Sequence, residues 1–231
     1  MPLTTDPATL RPVILFQGLD DAALAAVLAA GRPRRLEAGQ RIFGQGEPAA
    51  TCHVLIHGEV KIVQTAPEGQ QVIVHFLGPP EMYGTVATLM GAPMPADAFA
   101  VTEAVEVVWT RQAMDGLMDA HPRIARNALK LLGQRLMQAQ RRIREMSTER
   151  VDRRIARALL RMAQATGRKT EEGVDIPFPL SRQDLAELTG TTLHTVSRTL
   201  SAWEADGIVL STRRHVVVRD AAALKAVAEN A

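Results

Sequence analysis

The chain has 231 residues, of which 46% are hydrophobic and 23% charged, and it carries one cysteine, Cys52. That length and composition suit a folded protein with room for two cores and argue against disorder. No run of about 18 apolar residues offers a membrane span and the N-terminus lacks the basic-then-apolar order of a secretory signal, so a cytoplasmic protein without membrane contact is expected. A lone cysteine excludes an internal disulfide framework, a four-cysteine zinc site and an iron-sulfur cluster held by this chain's thiolates alone.

The net charge of +2 hides an uneven distribution along the chain. Residues 1–120 hold 7 Lys+Arg against 13 Asp+Glu, residues 121–146 hold 7 against 1, and residues 147–231 hold 13 against 11. An acidic first half followed by a basic remainder fits a sensor joined to a nucleic-acid reader; solvated surface charge is the plainer alternative.

In chain order, Asp20 to Ala30 reads as a short amphipathic helix, with Asp20 or Asp21 able to cap its free N–H groups and Gly31 to end it. From residue 34 to 110, short β-like runs (Ile42–Phe43, Val54–Ile56, Val60–Val63, Val72–Leu77) alternate with glycines at 39, 46, 58, 69 and 78. Turns every ten or so residues predict an antiparallel barrel or jelly roll. From His121 to about Met146 the pattern becomes helical. Ala125, Leu129, Leu132, Leu136, Ala139, Ile143 and Met146 form a heptad seam, and Ile124, Ala128 and Leu131 form a second stripe beside it. One helix can thereby touch both its own domain and a twin, which makes Leu129, Leu132, Leu136, Ala139 and Ile143 a candidate dimer interface. An amphipathic helix packed within one monomer would show the same spacing. Val151 to Ala163 predicts a further helix, Gly167 to Gly173 a polar loop, and Asp175 to Phe178 a short strand.

Ser181 to Gly207 carries the most information. Ser181 with Asp184 three residues on has the form of a helix cap, and Leu185, Ala186 and Leu188 supply the buried side of a short helix. Gly190 suits a tight turn, and Thr192 can cap a second helix with apolar positions Leu193, Val196, Leu200 and Trp203, closed by Gly207. Two short helices joined by a glycine-containing turn predict a helix-turn-helix. His194, Ser197 and Arg198 fall away from the apolar positions, and Arg198 can present two parallel donors to guanine O6 and N7. Thr191, Thr192 and Thr195 sit where hydroxyls and free backbone N–H groups favour phosphate oxygens. His194 could equally be a solvated or phosphate-contacting residue. Ile208–Leu210 and His215–Val218 predict a hairpin around Thr212-Arg213-Arg214, a wing with a basic tip suited to backbone contact; Arg182, at the entry to the motif, joins this DNA-facing set. Asp220 caps a last helix, Ala221 to Glu229. No phosphate-binding Gly-Lys-Ser/Thr loop, Gly-x-Ser-x-Gly elbow or His-Glu-x-x-His helix occurs in the sequence, so an enzyme is not expected.

Leu180-Ser181-Arg182-Gln183-Asp184-Leu185-Ala186, Thr195-Val196-Ser197-Arg198, and Trp203-Glu204 to Gly207-Ile208 stand in an order that resembles the CRP/FNR superfamily of bacterial transcription regulators across nearly the whole chain. The resemblance implies an α+β chain with an N-terminal β-roll, a cyclic-nucleotide-binding-like jelly roll, at 1–120. A long dimerisation helix at 121–146 and a C-terminal winged helix-turn-helix at 147–231 follow. It also implies homodimers on inverted repeats of double-stranded DNA, with half-sites about one turn apart, and contact with RNA polymerase.

Members that bind cyclic AMP carry a Gly-Glu-Leu-like loop followed by Arg-Ser. Gly84-Thr85-Val86 and Pro95-Ala96 correspond here and form the candidate effector pocket. Without that arginine, and with Asp97 beside the pocket, cyclic AMP is not expected. The small-molecule or gas effector stays unnamed, and an iron-sulfur cluster is not expected. The family's usual recognition-helix glutamate corresponds to His194. The string from Thr191 to Arg198 resembles the branch that regulates denitrification genes in response to nitric oxide, which implies haem; His53, His57 and His75 lie on the roll as candidate axial ligands, although a strand histidine can equally be packed or exposed.

Overall fold

The computed structural model describes residues 6–212 and 214–229. Two 3₁₀ turns (Pro7–Leu10, Ile14–Phe16) lead into α1 (Asp21–Ala29), β1 (Arg32–Leu36), β2 (Arg41–Phe43), β3 (Thr51–His57), β4 (Val60–Thr65), β5 (Gln71–Leu77) and β6 (Glu81–Tyr83). Then come α2 (Thr85–Met90), β7 (Asp97–Ala100), β8 (Ala104–Thr110), α3 (Arg111–Ala120), α4 (Pro122–Thr148), α5 (Val151–Thr166), β9 (Arg168–Thr170) and β10 (Gly173–Asp175). The chain continues through α6 (Arg182–Thr189), α7 (Leu193–Ala205), β11 (Val209–Ser211), β12 (Val216–Val218) and α8 (Ala221–Glu229). It divides into two compact units: Met1–Gln64 with Leu77–Ala139, and Thr65–Phe76 with Gln140–Ala231.

The first unit is the β-roll. One antiparallel sheet runs β1–β8–β3–β6 and a second carries β2–β7–β4. Side chains alternate along β3, so Cys52 and Val54 enter one core while Leu55 enters another. The first core gathers Phe16, Leu24, Trp109, Met114 and Ile124; the second gathers Leu36, Val60, Tyr83, Ala98 and Ala104. Asp20 caps α1, its carboxylate accepting from Ala23 N at 2.8 Å. Trp109 Nε1 donates to the Val27 carbonyl at 2.7 Å and Asn127 Nδ2 to the Leu15 and Gln17 carbonyls at 3.1 and 2.9 Å, so the buried polar groups of this core are paired.

On α4 the two stripes separate as expected. Ile124, Ala128 and Leu131 are buried, whereas Leu129, Leu136 and Ile143 are 70%, 61% and 67% exposed. Ala139 is exposed too, and Leu132 is half-buried.

The second unit holds the winged arrangement. Its sheet runs β11–β12–β10–β9, entirely antiparallel, and α5, α6, α7 and α8 surround a core that includes Ile155, Leu159, Leu185, Val196, Leu200 and Trp203. Three expectations need correction here. The stretch expected as a polar loop contains β9, whose three residues are all exposed and which pairs with β10 through its backbone and the Thr170 hydroxyl, a donor to the Gly173 carbonyl at 3.1 Å. The strand expected at Asp175–Phe178 ends at Asp175 instead, because Pro177 supplies no backbone donor to continue a ladder. The helix expected to end at Ala163 runs to Thr166.

Candidate functional site

The helix-turn-helix is built from local caps. Ser181 Oγ accepts from Asp184 N at 3.0 Å and Asp184 Oδ2 accepts from Ser181 N at 2.9 Å, a reciprocal box that starts α6. Gly190 ends it with φ 61°, a left-handed conformation that costs other residues about 1–2 kcal/mol. A Cβ there would lie 2.8 Å from Met146 Cε, so the turn also passes close to α4. Thr192 then caps α7, its hydroxyl accepting from Thr195 N at 3.2 Å and pairing with the Thr195 hydroxyl at 3.0 Å.

Val196, Leu200 and Trp203 are buried and fix the roll of α7 about its axis. The opposite side presents exposed Thr192, His194 and Arg198, with Thr191, Thr195 and Ser197 half-buried. Two residues depart from the sequence reading. Leu193, expected among the apolar contacts, is 48% exposed. In α6, Leu188 is only half-buried, while Thr189 is buried in its place, its hydroxyl bonded back to the Leu185 carbonyl at 2.6 Å.

Sequence reasoning also missed what holds the C-terminal end of α6, where carbonyls lack helical partners. Arg142 donates to the Leu188 carbonyl at 2.9 Å, and Arg154 donates to those of Thr189 and Gly190 at 2.9 and 3.3 Å. Cations at this end also answer the helix dipole. Buried Glu145 pairs with two further arginines, Arg161 at 3.2 Å and Arg157 at 3.8 Å. These partners lie far apart in sequence, so no local pattern announces them.

In the wing, Thr212 N donates to the His215 carbonyl at 2.8 Å, closing the hairpin of β11 and β12. Arg214 is exposed; Arg213 lies outside the described residues. Arg182 reaches Ser211 Oγ at 3.4 Å, and Glu204 accepts from Ser211 N at 2.7 Å, so the wing is tied to both helices of the motif. His215 Nε2 meets Asp175 Oδ1 at 2.5 Å and is committed to that pair.

In the roll, Gly84 (φ 70°) begins α2, with Thr85 buried and Val86 half-buried behind it. Ala96 is buried, while Pro95 is exposed and its carbonyl accepts from Gln64 at 3.1 Å. Asp97, the negative charge beside the pocket, is paired with Arg41 at 2.9 Å and accepts from Gln45 N at 3.2 Å. Glu106 sits fully buried, bonded to Tyr83 and to Arg34 Nε at 2.6 Å, with His53 Nδ1 at 3.2 Å. Burial pushes this carboxyl up, but the hydrogen bonds and charge of His53, the Tyr83 hydroxyl and the Arg34 charge outweigh it and hold the group below its ordinary value. His53 also meets Thr51 Oγ1 through Nε2 at 3.0 Å, so both its ring nitrogens have partners. His57 is exposed and His75 half-buried. Among the described residues no cluster of three His, Cys, Asp or Glu is placed to hold a metal ion, and no helix is long and apolar enough to cross a membrane.

Known proteins agree with this architecture. The cyclic nucleotide-binding domain family matches residues 33–121, and the Crp-like helix-turn-helix domain matches residues 153–227. The cyclic AMP receptor protein of Thermus thermophilus is 30% identical over 214 residues, covering 93% of this chain and 96% of its own. The CRP-like cAMP-activated global transcriptional regulator of Mycobacterium tuberculosis is 27% identical over 206 residues, covering 89% and 92%. The solved structure of FixK2 from Bradyrhizobium japonicum shares the fold with a TM-score of 0.76 at 23% identity, over 87% of this chain and 98% of that one. With its cyclic nucleotide-binding-like domain and Crp-like helix-turn-helix, the chain belongs to the CRP/FNR superfamily of DNA-binding transcription regulators.

Proposed function

We propose that this regulator works as a cytoplasmic homodimer on inverted repeats of double-stranded DNA and that a small effector in its β-roll controls it. The observation that carries the reading is α7: capped at Thr192, anchored by Val196, Leu200 and Trp203, and presenting His194, Ser197 and Arg198 away from that core. Such a helix enters the major groove with its N-terminal half toward the base edges. Arg198 is assigned to guanine, His194 and Ser197 to neighbouring bases, and Thr191, Thr192, Thr195, Arg182 and the wing arginines Arg213 and Arg214 to the backbone.

Dimer formation is supported by the exposed stripe Leu129, Leu136, Ala139 and Ile143 on α4, with half-buried Leu132 in the same row. Residues 1–120 then sense, 121–146 join the protomers, and 147–231 bind DNA, with RNA polymerase as the further partner. Gly84, Thr85, Val86, Pro95 and Ala96 are assigned to the effector. Pro95 and Ala96 offer no cation to a cyclic phosphate, and the nearby Arg41 is already spent on Asp97 and Glu47 at 2.9 and 3.2 Å. An effector other than cyclic AMP follows from that chemistry.

Selection from a random duplex library tests the reading. Enrichment of paired, inverted half-sites with centres about 10 base pairs apart, or a whole number of turns, is expected. An unenriched pool would overturn it.

A further inference from the structure

We propose that Leu193 is a specificity-determining residue that packs against the C5-methyl group of a thymine in each half-site. The inference rests on the DNA-reading role of α7 and adds to it one base identity and the atom that is read.

Leu193 is the first residue of α7 and stands 48% exposed, between exposed Thr192 and exposed His194. A single exposed leucine is ordinary on a protein surface. This one sits on the turn that leads the helix toward the base edges, where the other exposed side chains can hydrogen-bond. The Thr192 and Thr195 hydroxyls of that turn are held in the helix cap and are assigned to phosphates, not to bases. Thr192 Oγ1 accepts the Thr195 amide at 3.2 Å and pairs with Thr195 Oγ1 at 3.0 Å, which closes the cap. What the tip still offers a base is therefore the His194 imidazole and the Leu193 isobutyl group.

An isobutyl group can neither donate nor accept, so it gains nothing from phosphates or from the amino, carbonyl and ring-nitrogen edges of guanine, cytosine or adenine. In the major groove of unmodified DNA the one apolar feature is the thymine methyl group, and apolar side chains contact it. Placing Leu193 there removes two apolar groups from water at once. The adjacent step is left for His194 and Arg198, so the helix would read a methyl group and hydrogen-bonding edges together.

The test starts from the site that the full-length protein selects. Each thymine of the half-site is replaced singly by deoxyuridine, which deletes the methyl group and leaves base pairing and polar edges intact. Binding is measured by fluorescence anisotropy for the wild type, Leu193→Ala and Leu193→Ser. One thymine is expected whose loss of a methyl group weakens the wild type about fourfold per half-site, the worth of one buried methyl group. At that position both variants should bind thymine and uracil alike, while keeping their preference at the base pair assigned to Arg198. Circular dichroism and the thermal midpoint confirm that the variants are folded. Wild-type binding indifferent to every methyl group, or a methyl preference that survives in Leu193→Ala, would overturn the assignment while leaving the DNA-reading function intact. Absence of any selected site would remove both.

Discussion

Arg142 donates a hydrogen bond to the Leu188 carbonyl at 2.9 Å, so a residue of α4 holds the last turn of α6. The same guanidinium serves the Ile73 and Val74 carbonyls of β5 at 2.9 and 2.5 Å. Burial, then the nearby charge of Arg161, pull its ionisation below the ordinary arginine value, yet the group stays charged and is satisfied by carbonyls. Arg142→Met leaves three acceptors without this donor. Urea unfolding should show a loss of about 1.5–3 kcal/mol, the range for hydrogen bonds to a charged group. Arg142→Lys should recover little, because one ammonium cannot reproduce the planar fork. A methionine variant as stable as the wild type would show that these bonds contribute nothing.

The stripe on α4 gives a second expectation. Leu136 and Ile143 are 61% and 67% exposed in one protomer, and a glutamate at either site would place like charges across a two-fold seam. Sedimentation of Leu136→Glu/Ile143→Glu should report a monomer with the secondary structure of the wild type. Affinity for a two-half-site duplex should fall on the order of 100-fold as bivalent binding is lost. A dimer that persists in this variant would place the seam elsewhere.

Glu106 links the roll to pH. Its carboxyl is held below the ordinary value in the folded chain, so the ionised group contributes stability that is fully present above the unfolded value of about 4.3. That contribution is lost as pH falls through the folded value. Glu106→Gln should therefore cost about 3 kcal/mol near pH 7, where a buried partnered charge is removed. The gap to the wild type should close as acid protonates the carboxyl. Denaturant midpoints from pH 7 down to pH 3 measure it, and a gap of constant size would contradict the account.

Burial pushes the Cys52 thiol up to about 12, and the side chain is fully buried in the roll. Thiolate is then scarce at pH 8, and the group is inert while the chain is folded. Iodoacetamide should modify native protein at least about 100-fold more slowly than protein in urea. Comparable rates would mean that the roll opens readily at β3.

Much of this architecture was legible because its signals are local. The cap at Ser181 and Asp184, the positive φ at Gly190, the cap at Thr192, and the spacing of Val196, Leu200 and Trp203 each lie within one or two turns of chain. The misreadings have physical reasons. Periodicity places Leu193 with the core, yet as the first residue of α7 it is 48% exposed. Thr189 is polar yet buried, because its hydroxyl is satisfied within α6 and burial then costs little. In β9 all three residues are exposed, so there is no alternation to read, and only pairing with β10 makes a strand. The Arg142 and Arg154 contacts to the end of α6 span 46 and 35 residues, and no pattern in one sequence encodes such pairs. Likewise the Arg41 partner of Asp97 comes from a strand 56 residues away.

The central claim is that α7 delivers a guanidinium to a guanine in each half of a two-fold site. It is tested most directly by measuring the affinity of wild type and Arg198→Ala for the selected inverted repeat and for the full set of single base-pair changes in it. The account predicts that the variant loses about 1–3 kcal/mol of discrimination at one guanine position per half-site and keeps its preferences elsewhere. Equal preference at every position in both proteins would contradict it.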